Sequence, residues 1–237
     1  MLPLAWEASI EVHWPGGGFS VHGSPWDLDA FAVGHLVAEG YVPSFKGIRS
    51  VSVRSTGEDD VRVEVELARG IPRRGARRDD VMWGADPRTV PRSRRNPGSN
   101  VRPEHLLALA KSLRERERTL RAAGPLHWAA LYDPPTGRSL LASDLSRHSA
   151  MDKVLGKALL SGLPIAGRIL YSTGRIGEEM TAKAIRMGAA ALGTRSVPFR
   201  AAVELAGRHG LVLVGKLRPE GFWVYAGKAR LAPGSVK

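Results

Sequence analysis

The stretch RILYSTGRIGEEMTAKAIRMGAAALGT, residues 168–194, reads as strand, turn, helix and strand in succession. Arg168–Ser172 is a short run with branched and aromatic residues, and Gly174 turns the chain. From about Ile176 to Met187 the spacing is helical, and a second short strand follows near Ala190–Thr194. Strands that alternate with helices imply a layered α/β domain.

The pattern extends in both directions. Toward the C-terminus a helix is expected from Pro198 to Arg208, then strands at Leu211–Leu217 and Gly221–Tyr225. Toward the N-terminus lie a strand at Leu126–Asp133, a Pro134-Pro135-Thr136-Gly137 turn, a partner strand at Arg138–Ala142 and a helix at Ala150–Leu160. Before these, HLLALAKSLRERERTLRAAG predicts one long helix from Pro103 to near Gly124. The first 68 residues are organised differently. They carry a strand over 7–14, a Pro15-Gly16-Gly17-Gly18 turn with a return at Phe19–His22, and two further strands at Ile48–Ser55 and Asp60–Leu67. Between them Ser24 is expected to cap a helix, with Pro25 in its first position and Gly40 as its stop. Val61, Val63, Val65 and Leu67 alternate with Arg62, Glu64 and Glu66, so one face of that strand is wet. The chain therefore divides into an N-terminal α+β part (1–68), an Arg-rich loop or linker (69–102) and an α/β core (103–237).

The 237 residues contain no cysteine, which excludes disulfides, thiolate metal sites and thiol nucleophiles. Glutamine is also absent, and 27 of the 35 basic residues are arginine. Few thermolabile side chains fit a thermophilic source, and a GC-rich genome explains the arginine bias equally well. The net charge of +12 attracts polyanions without saying which. Residues 69–102 hold ten arginines against Asp79, Asp80 and Asp86, a net of +7. That segment reads as an anion-binding arm or as a solvated loop, and Trp83 alone offers little for base stacking. No apolar run approaches the ~20 residues of a spanning helix, and the N-terminus does not read as a signal peptide. A cytoplasmic protein is the expectation.

Three short segments carry groups suited to binding an anion. Between strand and helix lie Asp144, Arg147 and His148, where Arg147 can clamp a phosphate and Ser146 or Ser149 can cap the helix. Tyr171, Ser172, Thr173, Gly174 and Arg175 end a strand and enter a helix, and together offer hydroxyls, backbone N–H groups and a guanidinium at a second strand-to-helix junction. Lys216, Leu217, Arg218, Pro219, Glu220 and Gly221 form a hairpin connection with two positive charges. The first two segments are also explained as an ordinary solvated loop, turn and cap, and the third by itself reads as just a turn. The seven histidines are scattered, with no pair at metal-ligand spacing, and read as surface or core residues.

Taken in order, these segments resemble the formate dehydrogenase accessory sulfurtransferase family (FdhD/NarQ). Ser24–Gly34 with Ala38-Glu39-Gly40 is similar to its TP-x-D-L-x-x-x-A-x-G…EG segment. Ser143–Lys153 resembles its EDVGRHNAVDK, with Asp144, Arg147, His148, Ala150, Asp152 and Lys153 matching. Ser172–Met180 with Lys183 resembles its S/T-x-GR…EM element, Ser196–Ala206 its SAP…AVELA, and Leu213–Tyr225 its closing strand pair.

The resemblance implies a cytidine-deaminase-like layered α/β core with a smaller N-terminal α+β part. It implies binding of the molybdenum or tungsten bis(molybdopterin guanine dinucleotide) cofactor, for which GDP is a mimic. It also implies sulfur passage from a cysteine desulfurase, delivery to formate dehydrogenase or a related molybdo- or tungsto-enzyme, and a homodimer. In that frame Arg147, Arg175, Lys216 and Arg218 hold diphosphates, and Asp144 and His148 orient the ligand. The family's C-x-x-C loop falls where this chain has Met82–Asn100, so a persulfide on the chain itself is excluded. A zinc deaminase site is excluded by the same absence. A basic module for nucleic acid or another polyanion is the alternative reading.

Overall fold

The computed structural model describes residues 6–71, 90, 101–117, 119 and 124–232. Most of the Arg-rich segment therefore lies outside the described residues. The chain is a mixed α/β protein with two sheets and, among the described residues, five α-helices.

The first sheet runs β2-β1-β4-β3 and comprises β1 (Ala8–Trp14), β2 (Gly17–Gly23), β3 (Ile48–Ser55) and β4 (Asp60–Leu67). The outer pairs are antiparallel, and β1 and β4 are parallel. Val63 and Val65 are buried while Arg62, Glu64 and Glu66 are exposed, as the alternation in β4 predicts. Helix α1 (Leu28–Ala38) covers the inner face, packing Phe31 and Leu36 against Ile10, Val12 and Val63. It begins later than the sequence suggests. Asp27 is the N-cap, with a left-handed backbone at φ 55°. Ser24 caps no helix because Asp144 and Lys153 occupy its hydroxyl, at 2.7 and 2.9 Å.

The second sheet has the order β10-β9-β8-β7-β5-β6. Its members are β5 (His127–Asp133), β6 (Arg138–Asp144), β7 (Ile169–Ser172), β8 (Ala191–Thr194), β9 (Val212–Arg218) and β10 (Gly221–Ala226). The three central strands β7, β8 and β9 are parallel, and the flanking pairs are antiparallel. Every residue of β7 and β8 is buried, as expected for strands covered on both faces. Helices α3 (Arg147–Leu160), α4 (Glu178–Arg186) and α5 (Arg200–His209) pack on one face through Met151, Leu155, Met180 and Leu205. Helix α2 (Pro103–Glu115) packs on the other through Leu106, Leu109 and Leu113. Full burial of each such leucine contributes about 1.5–3 kcal/mol. Helix α2 is shorter than predicted. Part of the expected continuation, residues 118 and 120–123, lies outside the described residues.

Helices α1 and α3 join the two sheets at a close crossing. A Cβ on Gly34 would stand 1.9 Å from the Asp152 carbonyl oxygen, and one on Gly156 1.8 Å from that of Ala30. Either contact is impossible, so both positions require glycine at this separation. A dry seam of charge runs alongside the crossing. Lys183 Nζ donates to both Asp152 carboxylate oxygens (2.6 and 2.8 Å) and pairs with Glu39 (2.8 Å). His35 Nδ1 lies 2.9 Å from Asp152 Oδ2. Lys153 pairs with Asp144 at 2.6 Å and donates to Ser24. Burial alone would raise the Asp152 carboxyl, but Lys183 and His35 outweigh it and hold it below the ordinary aspartate value.

Candidate functional site

The two strand orders bring one set of ends together. The carboxyl ends of the parallel strands β7, β8 and β9 open at one edge of the second sheet. Because β5 runs antiparallel to β7 and β6, its first residues lie at that same edge, with His127 opposite Asp144 and Ala129 opposite Ser172. Helix α3 also starts there. Ligands of open α/β sheets bind outside the carboxyl ends of strands, and the chain places its polar segments at such a position.

Interlocking hydrogen bonds hold the loops at this edge. The Gly174 N–H donates to Ser172 Oγ at 3.2 Å, and Thr194 Oγ1 donates to the Gly174 carbonyl at 2.5 Å. The Ser196 N–H donates to Thr194 Oγ1 at 2.9 Å, and the Lys216 N–H to the Ser196 carbonyl at 2.7 Å. Lys216 has φ 52°, a left-handed conformation uncommon for a residue with a Cβ, and it is exposed.

Beside these loops is a cleft of about 550 Å³ between α2, the start of β5 and the β9–β10 turn. Leu113, Leu126, Trp128, Tyr171 and Leu217 make its apolar lining, and Thr173, Arg114, Glu117, Arg195, Arg218 and Glu220 supply polar groups. Arg195 donates to Glu117 at 2.8 Å, Arg114 pairs with Glu220, and Arg218 donates to the Arg195 carbonyl at 2.9 Å. Burial pushes the Tyr171 hydroxyl up to about 12, so it stays a neutral donor at physiological pH.

The residues expected from sequence divide into three groups. Leu217, Arg218, Pro219 and Glu220 line the cleft. Arg147 lies at the edge of the site, its side chain laid across Gly174, where a Cβ would stand 2.7 Å from Arg147 Cδ. Arg175 and Lys216 are exposed and do not line the cleft, and the Arg175 guanidinium lies 5.3 Å from the Phe199 ring. Ser172 is buried, and its hydroxyl positions the Gly174 turn. Asp144 turns inward. It accepts from Ser24 and Lys153, and its other oxygen accepts from the Ser146 N–H at 3.0 Å. Ser146 in turn caps α3 through the His148 N–H. His148 is 5% exposed, and burial reinforced by Lys183 and Arg147 lowers its imidazole to about 3, so it is neutral. Asp144 and His148 thus tie the site to the seam behind it.

Tyr171 and Thr173 lie in the segment that the sequence singles out, whereas Arg114, Glu117, Trp128 and Arg195 were not singled out. The signal that could have found Trp128 and Arg195 is position: each sits at the end of β5 or β8 that opens on this edge. Among the described residues no group of three or more His, Asp or Glu side chains could hold a metal ion. No helix among them is long and apolar enough to cross a membrane.

The FdhD/NarQ family model matches residues 6–232. A protein of Streptomyces avermitilis named sulfur carrier protein FdhD is 39% identical over 137 residues, covering 57% of this chain and 49% of that protein. Proteins of the same name from Geobacillus kaustophilus and Agrobacterium fabrum are each 29% identical, covering 89% and 88% of this chain and 82% and 81% of theirs. A crystal structure described as a formate dehydrogenase accessory protein from Desulfotalea psychrophila shares the fold, with a TM-score of 0.73 and 24% identity, covering 95% of this chain and 89% of that one.

Proposed function

Because the chain belongs to the FdhD/NarQ family, we propose that it is a formate dehydrogenase accessory protein whose cargo is the molybdenum or tungsten bis(molybdopterin guanine dinucleotide) cofactor. The cleft at the strand ends takes one guanine nucleotide arm of that cargo. The observation that carries this reading is the pairing of aromatic and cationic groups in a single recess. Trp128 and Tyr171 line it and are suited to stack on a base, and Arg218 and Arg195 line it and are suited to meet phosphate. A volume of about 550 Å³ falls within the ~300–1,000 Å³ of small-ligand sites, which suits one nucleotide arm and not the whole cofactor. The second sheet is then the cytidine-deaminase-like core, with the ligand at its carboxyl-end edge.

The chain's own residues bind and orient. With no cysteine in the sequence, a persulfide has no acceptor atom here, and any sulfur reaches the cargo from a thiol on another protein such as a cysteine desulfurase. The accessory step left to this chain is holding the cofactor for formate dehydrogenase. The polyanion alternative is weakened by Glu117 and Glu220, since two carboxylates in the cleft suit one shaped ligand better than a phosphate backbone.

Calorimetric titration with GDP, with ADP as control, at low and moderate salt tests the proposal. Saturable GDP binding that excludes ADP and survives moderate salt is expected. Binding that ignores the base and vanishes with modest salt would overturn the proposal in favour of general polyanion affinity.

A further inference from the structure

We infer that Glu117 and Glu220 are built-in competitors for the anion that the cleft takes, forming an autoinhibitory clasp of two ion pairs that the ligand must displace. The inference rests on the nucleotide reading above and adds how entry to that site is controlled.

The cations of the cleft are held in two ways. Arg218 donates to the Arg195 and Leu217 carbonyls, at 2.9 and 3.0 Å, so it is fixed on backbone. Arg195 and Arg114 are held instead by side chains. Arg195 donates to Glu117 at 2.8 Å, and Arg114 pairs with Glu220. A guanidinium meets carboxylate and phosphate oxygens with the same donor geometry. Each glutamate therefore occupies a position that an anionic ligand would otherwise take. All four side chains line the cleft and all are reached by solvent. Pairs of that kind are weak, so a ligand can replace them.

Both pairs fasten the same end of α2. Arg114 lies in its last turn and Glu117 just beyond it, three residues on and so on the same side. Their partners belong to other walls of the cleft, Arg195 directly after β8 and Glu220 in the β9–β10 turn. The pairs run in opposite senses, with α2 supplying the cation to one and the carboxylate following it to the other. An anion that takes Arg195 releases Glu117 and sets like charge against it, which drives this end of the helix away from the ligand. The packing of α2 permits the movement. Leu106 and Leu109 are 0% exposed, whereas Ala110 and Leu113, nearer the clasp, are 6% and 9% exposed. The apolar anchor thus loosens toward the end that carries the two pairs, and segments with fewer buried contacts open most readily. Removing a clasp carboxylate should consequently tighten ligand binding, the opposite sign from removing a group that holds the ligand.

Calorimetry with inorganic pyrophosphate and with GDP, on wild type, Glu117→Gln and Glu220→Gln, tests the clasp. Each variant should bind both probes about two- to fivefold more tightly, the range that an exposed ion pair can withhold. Glu115→Gln makes the same charge change at a residue that does not line the cleft, and should leave affinity unchanged. Thermal unfolding should show all three variants folded as wild type. Equal tightening by Glu115→Gln, or no tightening by either clasp variant, would overturn the clasp. If Glu117→Gln weakens GDP and leaves pyrophosphate unchanged, the carboxylate reads the base; the clasp is then wrong and the nucleotide reading stands. If both clasp variants tighten pyrophosphate while GDP gains nothing from its base, the clasp stands and the guanine reading falls. No binding of either probe to wild type or to the clasp variants overturns both.

Discussion

The seam between α1 and α3 and the cleft at the strand ends use the same chemical groups to opposite ends. In the seam, Lys153, Lys183, Asp144, Asp152 and Glu39 are each no more than 2% exposed and are paired. In the cleft, Arg114, Glu117, Arg195 and Glu220 are also paired, but their side chains are 31–66% exposed. A dry ion pair is hard to break because removing one partner strands the other in low dielectric. A wet pair exchanges freely with water, and so with a ligand. Charge alone therefore does not distinguish the two places; solvent access to the charge does.

Substitutions at the two places should diverge accordingly. Asp152→Ala removes the carboxylate shared by Lys183 and His35, leaving Lys183 with Glu39, and should destabilise the fold by about 3–5 kcal/mol in urea or guanidinium unfolding. A loss under about 1 kcal/mol would erase the contrast. Gly156→Ala sharpens it from the packing side, because a methyl group must push α1 away from α3. The expected loss is about 1–3 kcal/mol, read as a lower midpoint with little change in slope. Arg218→Ala lies on the other side of the comparison. It should change stability by less than about 1 kcal/mol while weakening GDP binding about tenfold by calorimetry.

The α/β alternation was legible in the sequence because it is written in periodicity. Each strand of the second sheet falls within a few residues of its predicted position, and β4 shows the wet face its alternation predicts. The start of α1 was not legible. Ser24 and Pro25 read locally as a cap, and only contacts about 120 residues away reveal that Ser24 serves Asp144 and Lys153. The site was legible in part. The segment Asp144–Lys153 is visible as one motif, but its division between seam (Asp144, Asp152, Lys153) and cleft edge (Arg147) depends on how α3 is rotated against its neighbours. Trp128 carried no local signal because its placement comes from sheet order, which no short window encodes.

The long span of the seam has a consequence for biosynthesis. Ser24 meets Lys153 across 129 residues, and the Ala38 carbonyl meets Arg186 across 148. At about 5–20 residues per second, α1 emerges from the ribosome on the order of ten seconds before its partners exist. Ten of its eleven residues are buried in the finished protein; the N-terminal sheet covers one side of the helix, and the side that meets α3 has to wait for residues 147–160. The face of the N-terminal part that meets α3 therefore stays uncovered until the C-terminal half of the chain has been made.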